Sequence, residues 1–376
     1  MTLTNLELRS LITPEGRLKL WLEDGEAPAP RADDDLVIQV EAAPLNPSDI
    51  LLLLGPSDLG TLRSGGSAAR PEVDAVVPPD RLGGLSARMG QALAVGNEGA
   101  GVVVEAGPAA AALVGRLVAF RATTGSYSRY QLAKAADCIV LPDGVSARDG
   151  AAAFINPLTA LGMVETMRRE GHSALVHTAA ASNLGQMLNR LCRKDGVPLV
   201  NIVRGAGQAT LLRDQGAEHV LDSSADGFRD ALAAAIAATG ATLAFDAIGG
   251  GAMAATILAA MESVTSRTLE TYSRYGSPVH KQVYVYGMLD SGPRILEGQF
   301  GMAWGIGGWL MTWFYERIGA ADAQRLRARV AGELTTTFAS RFTAEIGLAE
   351  ALEPDMIRAF SRRSTGEKYL IAPQRA

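Results

Sequence analysis

The sequence predicts an α/β protein that combines a doubly wound parallel sheet with a second, β-rich domain, and three observations support this fold class. Short apolar runs separated by glycine and proline fill residues 1–149, as in a closely turned, barrel-like domain. From residue 150 onward, strand patterns alternate with helix patterns, which is typical of a parallel sheet. Residues 174–204 have the pattern of a strand, a small-residue turn, a helix and a strand, the first unit of a dinucleotide-binding fold.

This unit begins with a short apolar strand at residues 174–178, and its second strand follows at residues 198–203. The helix between them has one apolar face, because apolar residues recur at spacings of three and four. Those residues are Leu184, Met187, Leu188, Leu191 and Cys192. A turn that leads into a helix in this way can hold a pyrophosphate at the helix N-terminus.

The turn at residues 179–185 is made of small residues, which a backbone needs in order to approach a phosphate closely. Gly185 is its one glycine, Ala179 and Ala181 are small substitutes, and Asn183 is a residue that tolerates positive φ. The predicted phosphate-binding residues are Ala181, Ser182, Asn183, Leu184 and Gly185. A buried strand, turn and helix without a ligand would have a similar pattern, so the motif alone leaves both interpretations open.

The other elements follow the same division of the chain. In the first part, strands are predicted at residues 36–40, 101–104 and 116–120, whereas residues 57–91 lack periodicity and predict a long solvated loop or lid. In the second part, a strand, a helix and two further strands are predicted at residues 218–221, 228–238, 242–246 and 282–286. A charged helix at residues 320–334 then leads to residues 368–371, which are expected to return to the first domain.

Composition and charge exclude several classes of protein. The 376 residues are 48% hydrophobic and 20% charged, which is typical of a globular chain long enough for two domains. A net charge of −5 argues against nucleic acid or an anionic membrane as a partner. The two cysteines are too few for a disulfide framework or a cysteine-based zinc site. Residues 1–9 show no signal peptide and residues 300–314 are too short to span a bilayer, so a soluble, cytoplasmic protein is expected.

Seven short motifs occur in an order and spacing that resemble the medium-chain dehydrogenase/reductase family over most of the chain. They are LNPSD at 45–49, GNEGAG at 96–101, GSYSRY at 125–130, LPDG at 141–144, NPLTA at 156–160, FDAIGG at 245–250 and YG at 286–287. The resemblance implies a GroES-like catalytic domain over residues 1–149 and 312–376, and a Rossmann dinucleotide-binding domain over residues 150–311. It also implies a homodimer that acts on a small-molecule substrate.

The resemblance does not extend to the zinc site of the alcohol dehydrogenases in that family. The positions that match their zinc ligands are Asn46, Asn97 and Asn156, and a neutral amide is a poor zinc ligand. No metal site is therefore expected. The histidines are scattered and are interpreted as ordinary surface or hydrogen-bonded residues; they are His172, His177, His219 and His280.

The chain is more similar to the zinc-free branches, which are the NADPH:quinone oxidoreductases and the enoyl-thioester reductases. Residues 97–99, 156–160, 201–204 and 308–310 favour the second branch, and the last of these resembles an aromatic segment beside its nicotinamide. Residues 50–56, however, contain no tyrosine where those reductases have a catalytic one. The first hypothesis is hydride transfer from NADPH to a quinone or enone. The alternatives are a 2-enoyl-thioester reductase and a non-catalytic NADPH-binding sensor or partner protein.

Arg204 ends the second strand of the dinucleotide-binding unit, where NAD-dependent enzymes place an acid on the ribose 2′-hydroxyl. A guanidinium at this position can pair bidentately with a 2′-phosphate, which predicts NADP(H) as the cofactor. The alternative is a solvent-facing arginine at a strand end.

Three polar residues are candidates for the chemistry. In the family, the loops around Asn46 and Thr159 face each other across the nicotinamide, so both side chains could donate hydrogen bonds to a substrate carbonyl or a carboxamide. The hydroxyl of Tyr127 could polarise a carbonyl or return a proton, although such a tyrosine is more often packed at a domain edge. Asp49 is interpreted as an acid that caps a turn.

Two arguments complete the predicted cofactor site: the family resemblance, and the rule that open α/β sheets bind ligands at the carboxyl ends of their strands. Residues 246–250 end a strand at the carboxyl edge of the sheet, where ligands bind in open α/β folds. The further cofactor-binding candidates are Asn156, Thr159, Ala247, Ile248, Gly249, Tyr286, Gly287, Trp309 and Lys368. Residues 271–281 are longer than a plain connection and line either a substrate entrance or a subunit contact.

Overall fold

The computed structural model of the chain describes residues 3–375. The chain divides into two units, Met1–Ile155 with Ala328–Ala376, and Asn156–Arg327. The first unit consists mainly of antiparallel strands, and the second contains a parallel sheet with helices packed against it. This architecture confirms the predicted fold class.

The bounds of the elements follow the chain. The strands are β1 (Thr4–Ile12), β2 (Arg17–Glu26), β3 (Asp35–Pro44), β4 (Asp58–Ser67), β5 (Arg70–Val76), β6 (Leu93–Ala94), β7 (Glu98–Ala106), β8 (Leu117–Arg121), β9 (Tyr130–Lys134), β10 (Cys138–Val140), β11 (Leu175–His177), β12 (Leu199–Val203), β13 (His219–Asp222), β14 (Leu243–Asp246), β15 (Lys281–Val285), β16 (Trp304–Gly308), β17 (Ala344–Ile346) and β18 (Tyr369–Ile371). The helices are α1 (Pro47–Leu54), α2 (Pro79–Leu82), α3 (Ala147–Gly150), α4 (Ile155–Arg169), α5 (Asn183–Asp195), α6 (Ala206–Asp214), α7 (Phe228–Thr239), α8 (Met253–Ser266), α9 (Met311–Ile318), α10 (Ala320–Glu333) and α11 (Pro354–Ser361).

The first unit is built around two sheets within the described residues. One has the strand order β4-β5-β2-β1-β6, and the other has the order β10-β8-β7-β3-β18-β17, with β9 also paired to β3. Alternate residues along β1 and β2, among them Leu8 and Leu20, are buried in the same core as Ile38 and Phe120. Because β18 pairs with β3, the segment that follows Lys368 returns to this unit, as the sequence predicted.

Residues 57–91 are not the long loop that the sequence predicted. Strands β4 and β5 form an antiparallel hairpin there, and β5 also pairs with β2. Val73 and Ala75 point into the core, whereas most of β4 is exposed and contains glycine and serine. Strand pairing, rather than hydrophobic alternation, therefore stabilises β4, and this is why the sequence pattern did not reveal it.

The second unit contains parallel strands in the order β13-β12-β11-β14-β15-β16. Helices α7 and α8 cover one face, where Val176, Ile202 and Val283 share their core. On the other face, Asn201 lies within hydrogen-bond distance of Asn189 in α5. The sheet is therefore doubly wound, and the strand order reverses at β11 and β14, the position at which such sheets bind ligands. No helix in residues 3–375 is both long and apolar enough to cross a membrane.

Candidate functional site

The turn between β11 and α5 has the geometry of a phosphate-binding turn. Ala179 adopts a positive φ of 50°, which reverses the chain directly after the strand. Ser182 caps α5, because its Oγ accepts a hydrogen bond of 3.1 Å from the N–H of Gly185. Asn183, a residue that tolerates positive φ, is instead the first residue of the helix, and the reversal occurs four residues earlier.

Gly185 is required for the close approach of this turn to the helix. A Cβ atom at this position would lie 2.2 Å from the carbonyl oxygen of Ala180. Because that oxygen belongs to the backbone, no change of side-chain conformation can relieve the clash. Ala181 and Leu184 are buried, and their contact with a cofactor stays a prediction. The turn thus presents backbone at the start of a 13-residue helix, and a dinucleotide pyrophosphate fits such a cradle. The apolar face predicted for α5 is buried throughout, namely Leu184, Met187, Leu188, Leu191 and Cys192.

The corner after β14 is held by the side chain of Asp246. Its Oδ1 accepts hydrogen bonds from Thr178 Oγ1 (2.7 Å) and from the N–H of Ile248 (3.0 Å), and its Oδ2 accepts one from the N–H of Gly249 (3.2 Å). The Thr178 hydroxyl oxygen in turn accepts a bond of 2.8 Å from the N–H of Ala247. These bonds join the end of β11 to the end of β14, so the predicted residues Ala247, Ile248 and Gly249 are held at the carboxyl edge of the sheet.

The corner after β14 also approaches the segment that follows β15. A Cβ atom on Gly249 would lie 2.6 Å from the carbonyl oxygen of Gly287, and one on Gly287 would lie 2.7 Å from that of Ala247. Gly249 also has a φ of 81°. Both glycines are therefore needed for backbone packing, which explains them without a ligand; their contact with a cofactor stays a prediction.

Arg204 follows the last residue of β12, and its side chain is exposed, with no ion pair to any residue in the described range. The nearest acid by strand register is Asp222, opposite Val203. Asp222 Oδ1 accepts hydrogen bonds from the N–H of Gly205 (2.9 Å) and from Ser224 Oγ (2.7 Å). This carboxylate is thus used within its own turn, and a guanidinium is the charged group that this strand end presents; the role of Arg204 toward a 2′-phosphate stays a prediction.

His177 and Tyr286 form a pair that the sequence did not reveal. His177 is the last residue of β11 and is fully buried, and its Nε2 lies 2.7 Å from the hydroxyl oxygen of Tyr286. The two rings stack with centroids 5.7 Å apart. His177 is hydrogen-bonded, as one of the two interpretations expected, but it is buried and its Nδ1 has no hydrogen-bond partner among the described residues. A single histidine in an apolar strand was the signal that could have found it.

Other predicted residues of the second unit lie at or near its core. Trp309 is 5% exposed, its indole N–H donates to Thr166 Oγ1 (3.1 Å), and its ring packs edge-on against Phe245. The indole hydrogen is therefore already used within the unit. Thr159 is buried and Asn156 is half-buried in the first turns of α4.

A second constellation of polar residues lies in the first unit. Asn46 Nδ2 donates to Glu98 Oε1 at 2.8 Å, and Glu98 Oε2 accepts bonds of 2.9 Å from the N–H groups of Phe154 and Ile155. Asp49 Oδ2 accepts a 2.9 Å bond from the N–H of Asn46, so Asp49 caps α1 as predicted. Glu98 was not among the residues predicted from the sequence, and the signal for it was an acid at the start of the buried strand β7.

Tyr127 does not have the exposure that a proton donor needs. Its side chain is 1% exposed, and its hydroxyl is shared between the carbonyl oxygen of Pro44 (3.0 Å) and the carboxylate of Asp49. Burial, together with Asp49, raises the pKa of Tyr127 well above its usual value. The candidate role of Tyr127 in returning a proton to substrate was wrong; its hydroxyl serves the packing of the first unit.

Burial also controls the charges of this constellation. It raises the pKa of Asp49 to about 7, with the neighbouring Glu98 carboxylate contributing to the rise. It lowers the pKa of Lys368 to about 8, although Glu98 and Asp49 favour the charged form of the lysine. Lys368 Nζ has no hydrogen-bond acceptor among the described residues and lies 5.5 Å from the ring centroid of Phe342. Its predicted role in cofactor binding stays a prediction.

The positions that match zinc ligands carry amides engaged in other bonds. Asn97 Nδ2 donates to Ser48 Oγ (3.1 Å) and to Asp49 Oδ1 (2.5 Å), and Asn46 donates to Glu98. Residues 3–375 contain no group of three histidine, cysteine, aspartate or glutamate side chains arranged to hold a metal ion. Zinc independence stays a prediction.

Comparisons with known proteins agree with this architecture. No family model matches the sequence. Over 199 residues, 50% of this chain, the sequence is 26% identical to the mitochondrial enoyl-[acyl-carrier-protein] reductase of Xenopus tropicalis, and the match covers 48% of that protein. The chain spans about half or less of the length of the curated relatives it matches.

Solved structures match over nearly the whole chain. A protein of Mesorhizobium loti described as an NADPH:quinone reductase superposes with a TM-score of 0.73 and 26% identity, over 99% of this chain and 99% of that one. A mycobacterial protein solved in complex with NADPH has a TM-score of 0.67 and 19% identity, over 97% of this chain and 100% of the other. The second likeness shows the shared fold, a Rossmann sheet with a GroES-like domain.

Proposed function

We propose that this chain, whose structural neighbours are NADPH:quinone oxidoreductases and enoyl reductases of the medium-chain dehydrogenase/reductase family, is an NADPH-dependent oxidoreductase that reduces a conjugated carbonyl compound without zinc. The observation that carries the proposal is the pairing of the small-residue turn at Gly185 with the unpaired guanidinium of Arg204. The turn suits a pyrophosphate, and the guanidinium suits a 2′-phosphate, so together they select NADP(H) over NAD(H).

When bound, NADPH supplies the hydride, and the protein supplies binding and orientation. The backbone of residues 181–185 holds the pyrophosphate at the start of α5, and Arg204 holds the 2′-phosphate. Thr159 donates a hydrogen bond that stabilises the negative charge developing on the substrate carbonyl oxygen. Since the Tyr127 hydroxyl is used within the first unit, we assign the final proton to solvent.

The experiment that tests this function is a fluorescence titration of the purified protein with NADPH and NADH, repeated with Arg204→Ala. We expect the unaltered protein to prefer NADPH, and the variant to lose roughly tenfold or more in NADPH affinity with little change for NADH. Arg229→Ala is a matched control, because Arg229 is exposed on α7, which covers the face of the sheet opposite α5. Equal losses for the two cofactors in Arg204→Ala would contradict the role of Arg204, and absence of binding would overturn the function.

A second candidate function is the reduction of a 2-enoyl thioester, and the likeness to an enoyl-[acyl-carrier-protein] reductase favours it. NADPH oxidation with a quinone, a simple enone and a 2-enoyl-CoA distinguishes the two reactions. Turnover with the thioester alone selects the second function. NADPH binding without turnover of any acceptor selects a non-catalytic NADPH-binding protein.

We further propose that two copies of the chain pair through β16. This strand lies at the end of the sheet order, and its sequence from Trp304 to Gly308 contains neither a charge nor a proline that would protect an edge. Two large apolar side chains near it, Met302 and Trp313, are 76% and 62% exposed. Antiparallel pairing of two identical edge strands is self-complementary and gives a two-fold dimer.

A further inference from the structure

The sheet order separates two side chains on opposite sides of the phosphate-binding turn. Arg204 follows β12, which is adjacent to β11 on one side, whereas Tyr286 follows β15, which lies two strands away on the other side. A dinucleotide with its pyrophosphate at α5 and its 2′-phosphate at Arg204 extends its other half toward the ends of β14 and β15. Tyr286 therefore lies on the nicotinamide side of the site, an assignment that rests on the proposed function.

Tyr286 is held by His177 from within the sheet. The His177 Nε2 and the Tyr286 hydroxyl oxygen are 2.7 Å apart, and the planes of the two rings are inclined by 20°. Phe245, on the strand between them, packs edge-on against the tyrosine ring. His177 is fully buried, whereas Tyr286 is half-buried at the carboxyl edge of the sheet. The pair thus runs from the interior to the edge where a ligand binds.

The surroundings of His177 determine which ring nitrogen carries the proton. Burial lowers the pKa of His177 to about 3, so the ring is neutral at working pH and has a single N–H. A proton on Nδ1 would leave a buried donor without an acceptor, because Nδ1 has no partner among the described residues. With the proton on Nε2, the N–H donates to the Tyr286 oxygen, and only the lone pair of Nδ1 is left without a partner. In folded proteins, a buried N–H without an acceptor is rarer than a buried acceptor without a donor. The favoured tautomer therefore donates from Nε2 to the tyrosine oxygen.

We propose that His177 positions Tyr286 as a hydrogen-bond donor to an acceptor oxygen on the nicotinamide half of the bound dinucleotide. A hydroxyl whose oxygen accepts a hydrogen bond from its neighbour can still donate its own hydrogen to a second partner. Burial also raises the pKa of Tyr286, which keeps the hydroxyl protonated. His177 is a positioning residue in this arrangement, and Tyr286 is the group that meets the ligand.

The test compares isosteric variants in two binding titrations, one with NADPH and one with adenosine 2′,5′-bisphosphate, which lacks the whole nicotinamide half of the dinucleotide. Tyr286→Phe is expected to raise the Kd of NADPH about three- to tenfold and to leave the Kd of the analogue within about twofold. His177→Gln keeps an amide N–H near the Nε2 position and is expected to bind NADPH like the unaltered protein. His177→Asn places its amide near Nδ1 and is expected to lose as much affinity as Tyr286→Phe. Tyr284→Phe is the control, because the Tyr284 hydroxyl on the same strand donates to Glu170.

Combining the changes tests whether His177 acts through Tyr286. The double variant His177→Asn, Tyr286→Phe is expected to bind NADPH no more weakly than Tyr286→Phe alone, since both remove the same bond. Additive losses, or a Tyr286→Phe variant that binds NADPH normally, overturn the inference and leave the proposed function intact. If His177→Asn fails to fold, Tyr286→Phe and His177→Gln decide the question. Failure of the unaltered protein to bind NADPH overturns both.

Discussion

Asn46 and Glu98 are joined by a buried hydrogen bond of 2.8 Å, which ties the loop after β3 to the first residue of β7. The same carboxyl group accepts the N–H groups of Phe154 and Ile155, so a single buried side chain serves three donors. Burial raises the pKa of Glu98, and a buried polar group is tolerated when its oxygens are matched by donors in this way. Glu98 therefore has a structural task at the end of the first unit.

Replacing Glu98 by alanine is expected to destabilise the protein strongly. The change removes the acceptor of three hydrogen bonds, two of them buried, and we expect the free energy of unfolding to fall by about 3–5 kcal/mol. Urea denaturation measures the loss. Glu105→Ala is the matched control, because Glu105 is exposed on the same strand and its removal is expected to change stability by less than about 0.5 kcal/mol. Similar midpoints for the two variants would contradict the assigned role of Glu98.

The carboxyl group of Asp49 predicts a pH dependence of stability. The folded protein keeps this proton up to about pH 7, whereas the unfolded chain releases it near pH 4, so ionisation of Asp49 makes stability fall as the pH rises between these values. Asp49→Asn cannot ionise. Relative to that variant, we expect the unaltered protein to lose on the order of 3 kcal/mol between pH 4 and pH 7.5.

Denaturation of both proteins at these two pH values measures the difference. Asp143→Asn is the control, since Asp143 is fully exposed and its replacement is expected to leave the pH dependence unchanged. A constant difference between the unaltered protein and Asp49→Asn across this range would show that Asp49 is ionised in the folded state throughout.

Gly185→Ala is expected to damage the phosphate-binding turn. The new methyl group would lie 2.2 Å from the carbonyl oxygen of Ala180, so the backbone of the turn must move. We expect a loss of at least about 2 kcal/mol in stability and a clear loss of NADPH affinity. Gly207→Ala in α6 is the matched control, because a Cβ there contacts nothing within 4 Å and alanine is the better helix former. An unchanged NADPH affinity in Gly185→Ala would contradict the turn as the phosphate site.

Gly308→Glu tests the proposed dimer. A Cβ atom on Gly308 has no neighbour within 4 Å, so the charge can be added to the edge strand without disturbing the unit. Sedimentation velocity is expected to show a dimer for the unaltered protein and a monomer for the variant, because each copy would bring a charge into the paired edge strands. A monomeric unaltered protein, or a variant that still dimerises, would exclude pairing through β16.

Local sequence patterns were sufficient to predict the structure where a single periodicity covered a whole segment. The apolar spacing from Leu184 to Cys192 predicted a helix and its buried face, and both are present. The reason is that an amphipathic helix packs with its apolar stripe toward the core. The capping role of Asp49 was equally predictable, since a cap involves residues three apart in the chain. The hairpin of β4 and β5 was not, because its stability comes from pairing with β2, about 50 residues away.

The sequence by itself determined the fold class, the turn at residues 179–185 and the arginine that follows β12. These features depend on residue type, spacing and strand order. Only the tertiary structure decided that Ala179 reverses the chain, that Tyr127 is used within the first unit, and that His177 meets Tyr286 across 109 positions of sequence. Hydrogen bonds and burial depend on which strands become neighbours, and strand order within a sheet is set by the packing of the whole chain.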